Sequence, residues 1–202
     1  MTTKMEQVDR GAGDTWPKIL KHNYEKHGND TAMRYKRYGV WQRYTWKDYY
    51  LNVKHLALGF LSLGFRPGDK VLIIGDNAPQ WYYAELAAQA IHGAAVGVYS
   101  DSSPQEIKYF AKNSESRFAV VQDQEQVDKL LEIMGELPLI ERVVYWSYKG
   151  LAHYDEPVLM GYQQVLQLGE EYEETHPGLF EQNVETGRAD DVCALVYTSG
   201  TL

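Results

Sequence analysis

Between residues 70 and 145 the chain repeats one pattern: a short, apolar run without polar alternation, a turn, then an amphipathic stretch. The runs are 70–74, 95–99, 118–121 and 142–145. A strand with one wet face alternates apolar and polar residues, whereas a strand covered on both faces does not. Runs this short and this uniform therefore belong to a buried sheet, and the amphipathic stretches between them are its covers. The expected fold is a layered α/β/α arrangement with a mainly parallel sheet and right-handed crossovers.

The helix boundaries are written in capping chemistry. Ser103-Pro104-Gln105-Glu106 offers a serine N-cap, a proline at the first helical position and a glutamate placed to close a capping box. Thr45 and Asp48 form a similar, imperfect pair ahead of a stripe of Trp46, Tyr49, Tyr50, Val53, Leu56, Ala57, Phe60 and Leu61 at helical period, which Gly64 stops. Further helices are expected over 15–27 (with Asp14 or Thr15 as cap), 79–92, 124–134 and 161–172. Segments 32–35 and 41–45 flank Arg37-Tyr38-Gly39 as a hairpin. Residues 147–157 read as a loop, Pro177-Gly178 breaks the chain, and 192–197 is a fifth apolar run. Residues 1–13 read as a flexible lead-in and 14–202 as a single domain portion.

Charge and cysteine usage narrow the function classes. The chain has 202 residues, one cysteine and a net charge of −8. Of its 28 acidic residues ten fall between Leu151 and Asp191, against a single basic residue there, Arg188. That stretch reads as a solvated surface, and nucleic-acid binding through a positive field is disfavoured. One cysteine excludes an intrachain disulfide and a multi-cysteine zinc site. No apolar stretch approaches the roughly 20 residues of a membrane span, and residues 1–13 show no apolar signal core. A reduced, cytoplasmic protein is the expectation.

The chemistry concentrates at the ends of the runs. Tyr197-Thr198-Ser199-Gly200-Thr201 follows an apolar run with three further hydroxyls and a glycine. Such a loop presents hydroxyl and backbone N–H donors to phosphate oxygens, although it lacks the Gly-x-x-x-x-Gly-Lys signature of a P-loop. Ligands of open α/β sheets gather at the carboxyl ends of strands, and that edge also carries Gly75-Asp76-Asn77 and Ser100-Asp101-Ser102. Turn formation and helix capping are the plainer roles for Asp76, Asn77 and Asp101. Cys193 reads as a small core residue, His92 as a helix-end residue, and Trp41, Trp46, Tyr49 and Tyr50 as core packing. The six histidines show no metal-ligand spacing.

Taken in order, these segments resemble the long-chain acyl-CoA synthetases among the AMP-forming, adenylate-forming enzymes. Gly75-Asp76-Asn77-Ala78-Pro79-Gln80-Trp81 is similar to their "Asn-Arg-Pro-Glu-Trp" segment. Val96-Gly97-Val98-Tyr99 with Ser102 to Tyr109 resembles the next block, and Ser114-Glu115-Ser116-Arg117 the one after. Tyr197-Thr198-Ser199-Gly200-Thr201 resembles the opening of the signature Tyr-Thr-Ser-Gly-Thr-Thr-Gly-x-Pro-Lys. The likeness runs from about Asp14 to Thr201.

The resemblance implies an enzyme that activates a fatty acid with ATP to an acyl-adenylate and passes the acyl group to coenzyme A. Thr198, Ser199, Gly200 and Thr201 would contact the ATP phosphates. ATP, Mg²⁺ and coenzyme A would serve the parent enzyme, with no catalytic residue and no metal ligand in these residues and no cofactor bound to them. Peripheral membrane contact of the parent and self-association through exposed surface are further expectations. Leu202 stands where the signature has its second Thr. The chain thus reads as the first part of a larger domain, inactive alone. Other readings are an aryl, medium-chain or amino-acid adenylating enzyme, and a non-catalytic interaction module.

Overall fold

The computed structural model describes residues 13–198. Of the expected flexible lead-in over 1–13 all but Gly13 lies outside the described residues, as do Ser199, Gly200, Thr201 and Leu202. Helix α1 (Trp16–His27) is capped by the Thr15 hydroxyl, which accepts from the Lys18 amide. Strands β1 (Thr31–Arg37) and β2 (Val40–Thr45) form the expected antiparallel hairpin. Its turn is the pair Tyr38-Gly39 at φ +49° and +81°, the conformation that matches strand twist. Helix α2 (Trp46–Ser62) opens on a complete capping box between Thr45 and Asp48.

The alternating region follows as β3 (Lys70–Ile74), α3 (Pro79–Ala90), β4 (Ala94–Val98), α4 (Pro104–Ser114), β5 (Phe118–Val121), α5 (Gln124–Ile133) and β6 (Arg142–Tyr145). The Ser103–Glu106 capping box forms as the sequence implies. After the 147–157 loop come β7 (Leu159–Gly161), α6 (Tyr162–Thr175), α7 (Leu179–Thr186) and β8 (Ala194–Leu195). Six strands make one sheet in the order β7-β6-β5-β3-β4-β8, every pair parallel.

Two apolar layers cover this sheet. One face, with Val71, Ile73, Phe118 and Val120, meets α1, α2, α3, α6 and α7. The other, with Leu72, Ile74, Ala119 and Val121, meets α4, α5 and Leu151 of the long loop. Connections that step toward β7 run over the α4–α5 face, and those that step toward β8 run over the other. That is what a single hand of crossover demands.

The structure departs from the sequence expectations in several places. Strand β7 and helix α7 are additional elements. The fifth run contributes only two paired residues, and Val192 and Val196 are exposed on either side of them. Cys193 is exposed rather than part of the core, because β8 is an edge strand with one neighbour. Trp41 is exposed as well: the aromatic stripe runs across the strand–helix boundary at Thr45, so helical period does not apply to it. Trp46 and Tyr49 are half-buried and Tyr50 is buried in the core.

The acidic stretch is only partly a solvated surface. Lys54, on α2, bonds to Glu173 of α6 and to Glu181 of α7, and the Tyr50 hydroxyl donates to Glu181 at 3.0 Å. Burial works against the Lys54 charge, but the two carboxylates outweigh it and hold its pKa above the ordinary lysine value.

The tightest helix contact joins α2 to α6 through paired glycines. A Cβ on Gly169 would lie 1.8 Å from the His55 carbonyl oxygen, and one on Gly59 would lie 2.3 Å from that of Val165. These are backbone atoms that cannot swing aside. Gly169→Ala is expected to destabilise the chain by about 1–3 kcal/mol, read as a lower urea midpoint with an unchanged slope. A midpoint equal to wild type would show that the helices separate without cost.

Candidate functional site

The sheet topology places a crevice at the carboxyl ends of β3, β4 and β8. The chain leaves β3 toward the α3 face, whereas it leaves both β4 and β5 toward the opposite face. Loops that diverge in this way open a cleft between neighbouring strands. A cavity of about 430 Å³ fills it, bordered by Gly75, Asp76, Asn77, Trp81 and Glu85 on one side and by segments 97–100 and 194–197 on the other.

Asp76 ties the loops together. Its amide donates to Gln122 Oε1 at 2.6 Å. Its carboxylate accepts from the Ser100 hydroxyl at 3.3 Å and from Gln122 Nε2 at 3.4 Å. The Ser100 carbonyl in turn accepts from Lys129 Nζ at 2.8 Å and Gln126 Nε2 at 3.1 Å. Asp76 is therefore a bridge across three strand ends rather than a helix cap; the cap of α3 is Ala78, which has no side-chain bond. Gly75 is required where it stands. It holds φ +155°, and a Cβ there would meet the Trp146 ring at 2.6 Å. Gly97 has a related function: the Trp81 indole lies 3.1 Å from where its Cβ would be, so the indole rests on β4.

The far wall is fixed by Tyr197. Its hydroxyl donates to Asn113 Oδ1 at 2.7 Å, and its ring packs on Phe110 with centroids 4.7 Å apart. This anchor brings Thr198, which is exposed, to the rim of the same edge. Gly75-Asp76-Asn77, Ser100 and Tyr197 thus converge as the sequence implied. Asp101 is exposed and Ser102 buried, and neither borders the cavity. Ser199, Gly200 and Thr201 lie outside the described residues.

Sequence reasoning did not pick out Glu85, Gln122, Gln126 or Lys129, because each lies inside a helix or after a strand with no local motif. Glu85 is the chemically notable one. Burial raises its pKa, and a bond from Gln89 Nε2 pulls weakly the other way. Among the described residues, the cavity border holds two carboxylates, Asp76 and Glu85, and no Lys, Arg or His. No group of three or more His, Cys, Asp or Glu among the described residues is placed to hold a metal ion.

A second cavity, about 320 Å³, lies at the opposite edge beside His92, Gly93, Asp191 and Val192. It sits at the amino ends of β4 and β8, away from the converging loops. His92 ends α3 at φ +62°, with the Thr186 hydroxyl 3.2 Å from Nε2 and Asp191 3.7 Å from Nδ1. It is the helix-end residue that the sequence implied.

Ligands of open parallel α/β sheets bind in the crevice at a topological switch point, which is where this cleft lies. More specifically, the AMP-binding enzyme family matches residues 20–201, and the chain belongs to that family. It is 32% identical over 177 residues to the long-chain-fatty-acid–CoA ligase ACSBG1 of Rattus norvegicus, covering 88% of this chain and 24% of that protein. To the long-chain-fatty-acid–CoA ligase ACSBG2 of Xenopus laevis it is 29% identical over 183 residues, covering 91% and 24%. The chain therefore spans about a quarter of the length of these curated relatives. Among solved structures, the anthranilate CoA ligase AuaEII in complex with anthranoyl-AMP superposes with a TM-score of 0.68 at 20% identity, covering 92% of this chain and 32% of that one. That likeness shows a shared fold.

Glu85 supplies a prediction whose sign follows from its environment. A carboxyl whose folded pKa is raised favours the protonated form. Its ionisation therefore costs stability as pH rises from the unfolded value, 4.5, through the higher folded one. Glu85→Gln removes that cost. The variant should melt above wild type at pH 7, and the two curves should merge below pH 4.5. A variant that melts lower at pH 7 would mean that the carboxylate has a stabilising partner.

Proposed function

We propose that this chain is the N-terminal part of the adenylating domain of an ATP-dependent acid–CoA ligase acting on long-chain fatty acids. The reaction has two halves. A fatty-acid carboxylate attacks the ATP α-phosphorus and pyrophosphate leaves; the thiol of coenzyme A then attacks the acyl carbonyl and AMP leaves. The observation that carries this reading is the match to the AMP-binding family along residues 20–201. The long-chain acid as substrate rests on the named relatives.

The contribution of this chain is positional and electrostatic. Thr198, Ser199, Gly200 and Thr201 supply hydroxyl and amide donors to the ATP phosphates, where charge grows as pyrophosphate departs. The Tyr197 anchor sets where that segment begins. The Asp76 bridge keeps the three loops of the cleft in register.

These 202 residues do not turn over by themselves. Each hydrogen bond to a charged group contributes about 1.5–3 kcal/mol, and immobilising a flexible ligand costs several kcal/mol. A few hydroxyl and amide contacts leave little net affinity for ATP.

Calorimetric titration with Mg-ATP and a pyrophosphate-release assay with palmitate test this on two proteins, the 202-residue chain and a protein extended to the relatives' length. The extended protein should release pyrophosphate, and Thr198→Ala in it should lower kcat/KM for ATP by about tenfold or more. The short chain should bind only at millimolar concentrations. Micromolar binding or turnover by the short chain would show a complete site within it. An extended protein that ignores fatty acids but adenylates another acid would reassign the substrate.

A further inference from the structure

The β1–β2 hairpin carries apolar surface where the fold has no use for it. Tyr38, Val40 and Trp41 are 90%, 60% and 64% exposed. Tyr38 occupies a left-handed position, φ +49°, where asparagine or glycine is the low-cost choice. A tyrosine there raises the conformational energy of the turn. Its one ring contact is the Arg37 guanidinium, 5.3 Å from the centroid. Trp41 is similar: the Lys36 ammonium lies 5.9 Å from its ring, directly across the strand pair.

Exposed cations surround these rings. Arg34, Lys36 and Arg37 lie within four positions of one another and are all exposed. Among the described residues none of the three takes part in a salt bridge, whereas eight of the other fifteen lysines and arginines do. The nearest acidic residues in sequence, Asp30 and Asp48, stand at the base of the hairpin and are engaged with His27 and with the Thr45 cap. In a chain of net charge −8, the projecting tip is a local island of positive charge.

We propose that this hairpin is a docking element for an anionic lipid surface. Val40, Trp41 and Tyr38 would enter the headgroup layer, where amphipathic rings are most favourable. Arg34, Lys36 and Arg37 would meet the lipid phosphates and carboxylates. The charge pattern favours lipid over nucleic acid: three clustered cations on an acidic protein provide few phosphate contacts, and a tip valine has nothing to stack on a base. Lys36, Arg37, Tyr38, Val40 and Trp41 do not border the cleft cavity, so the proposal is independent of the function proposed above.

The test is co-sedimentation of the full chain with phosphatidylcholine vesicles, with and without phosphatidylserine, at low and high salt. Wild type should bind the phosphatidylserine vesicles and release at high salt. Lys36→Glu/Arg37→Glu and Tyr38→Asn/Trp41→Thr should each weaken binding by roughly tenfold. Tyr38→Asn puts a preferred residue into the turn, so that variant should melt no lower than wild type, which separates lost binding from lost folding. Equal binding by the variants, or equal binding to neutral vesicles, would overturn the proposal. So would retention on an oligonucleotide column without vesicle binding, or a wild-type dimer by light scattering that the hairpin variants convert to monomer.

Discussion

The position of β3 at the middle of a parallel sheet governs the rest of the molecule. It pairs with β4 on one side and β5 on the other, and Val71, Leu72, Ile73 and Ile74 have no solvent exposure. Burial on that scale is worth on the order of 1.5–3 kcal/mol for each large side chain, and it is available only if both faces are covered. The chain meets that demand by leaving β3 on one face and β4 and β5 on the other. The cleft is thus a by-product of how the central strand is buried. Gly75 sits at the pivot, where only a residue without Cβ passes beneath Trp146.

How much of this was legible depended on whether the signal was local. Capping chemistry is local, so Thr45–Asp48 and Ser103–Glu106 marked their helices correctly. Uniform apolar runs are local too, and β3, β4, β5 and β6 appeared where expected. Strand β7 has three residues, too few to show a pattern. Helix α7 hides behind Pro177-Gly178, because a break in one helix says nothing about whether another follows. At Trp41 the aromatic period and at Cys193 the surrounding apolar run suggested burial, but strand position decided it: one lies on a hairpin outside the core and the other on a sheet edge. At the cleft, Gly75, Asp76 and Tyr197 were legible as strand ends. Gln122, Lys129 and Glu85 were not, since only the topology brings them to one place.

The acidic stretch illustrates the same limit in electrostatic form. Read along the chain, Glu173 and Glu181 have almost no basic neighbours and look solvated. In the fold they flank Lys54, which precedes Glu181 by 127 positions. A half-buried lysine needs opposite charge to offset its lost hydration, and α6 and α7 bring two carboxylates to it. The pairing also explains why α6 approaches α2 closely enough to require Gly59 and Gly169: ion pairs and glycine contacts lie along the same helix seam.

The charge of the cleft bears on how a nucleotide would sit in it. Phosphates carry several negative charges, and a border that among the described residues has two carboxylates and no basic side chain would repel them. Hydroxyl and amide donors are neutral, so they accept phosphate without the desolvation penalty of a buried cation, but they need accurate placement. That makes the Tyr197 anchor more consequential than its distance from any charged atom suggests. By binding Asn113 and packing on Phe110, it fixes the point where the strand hands over to the hydroxyl-rich segment. The carboxylates of the cleft act differently. Asp76 cross-links the loops, and Glu85 is half-buried, with its pKa raised by that burial. Under the proposed function, the sheet edge holds the strand end in register, and the segment that follows β8 would meet the phosphates.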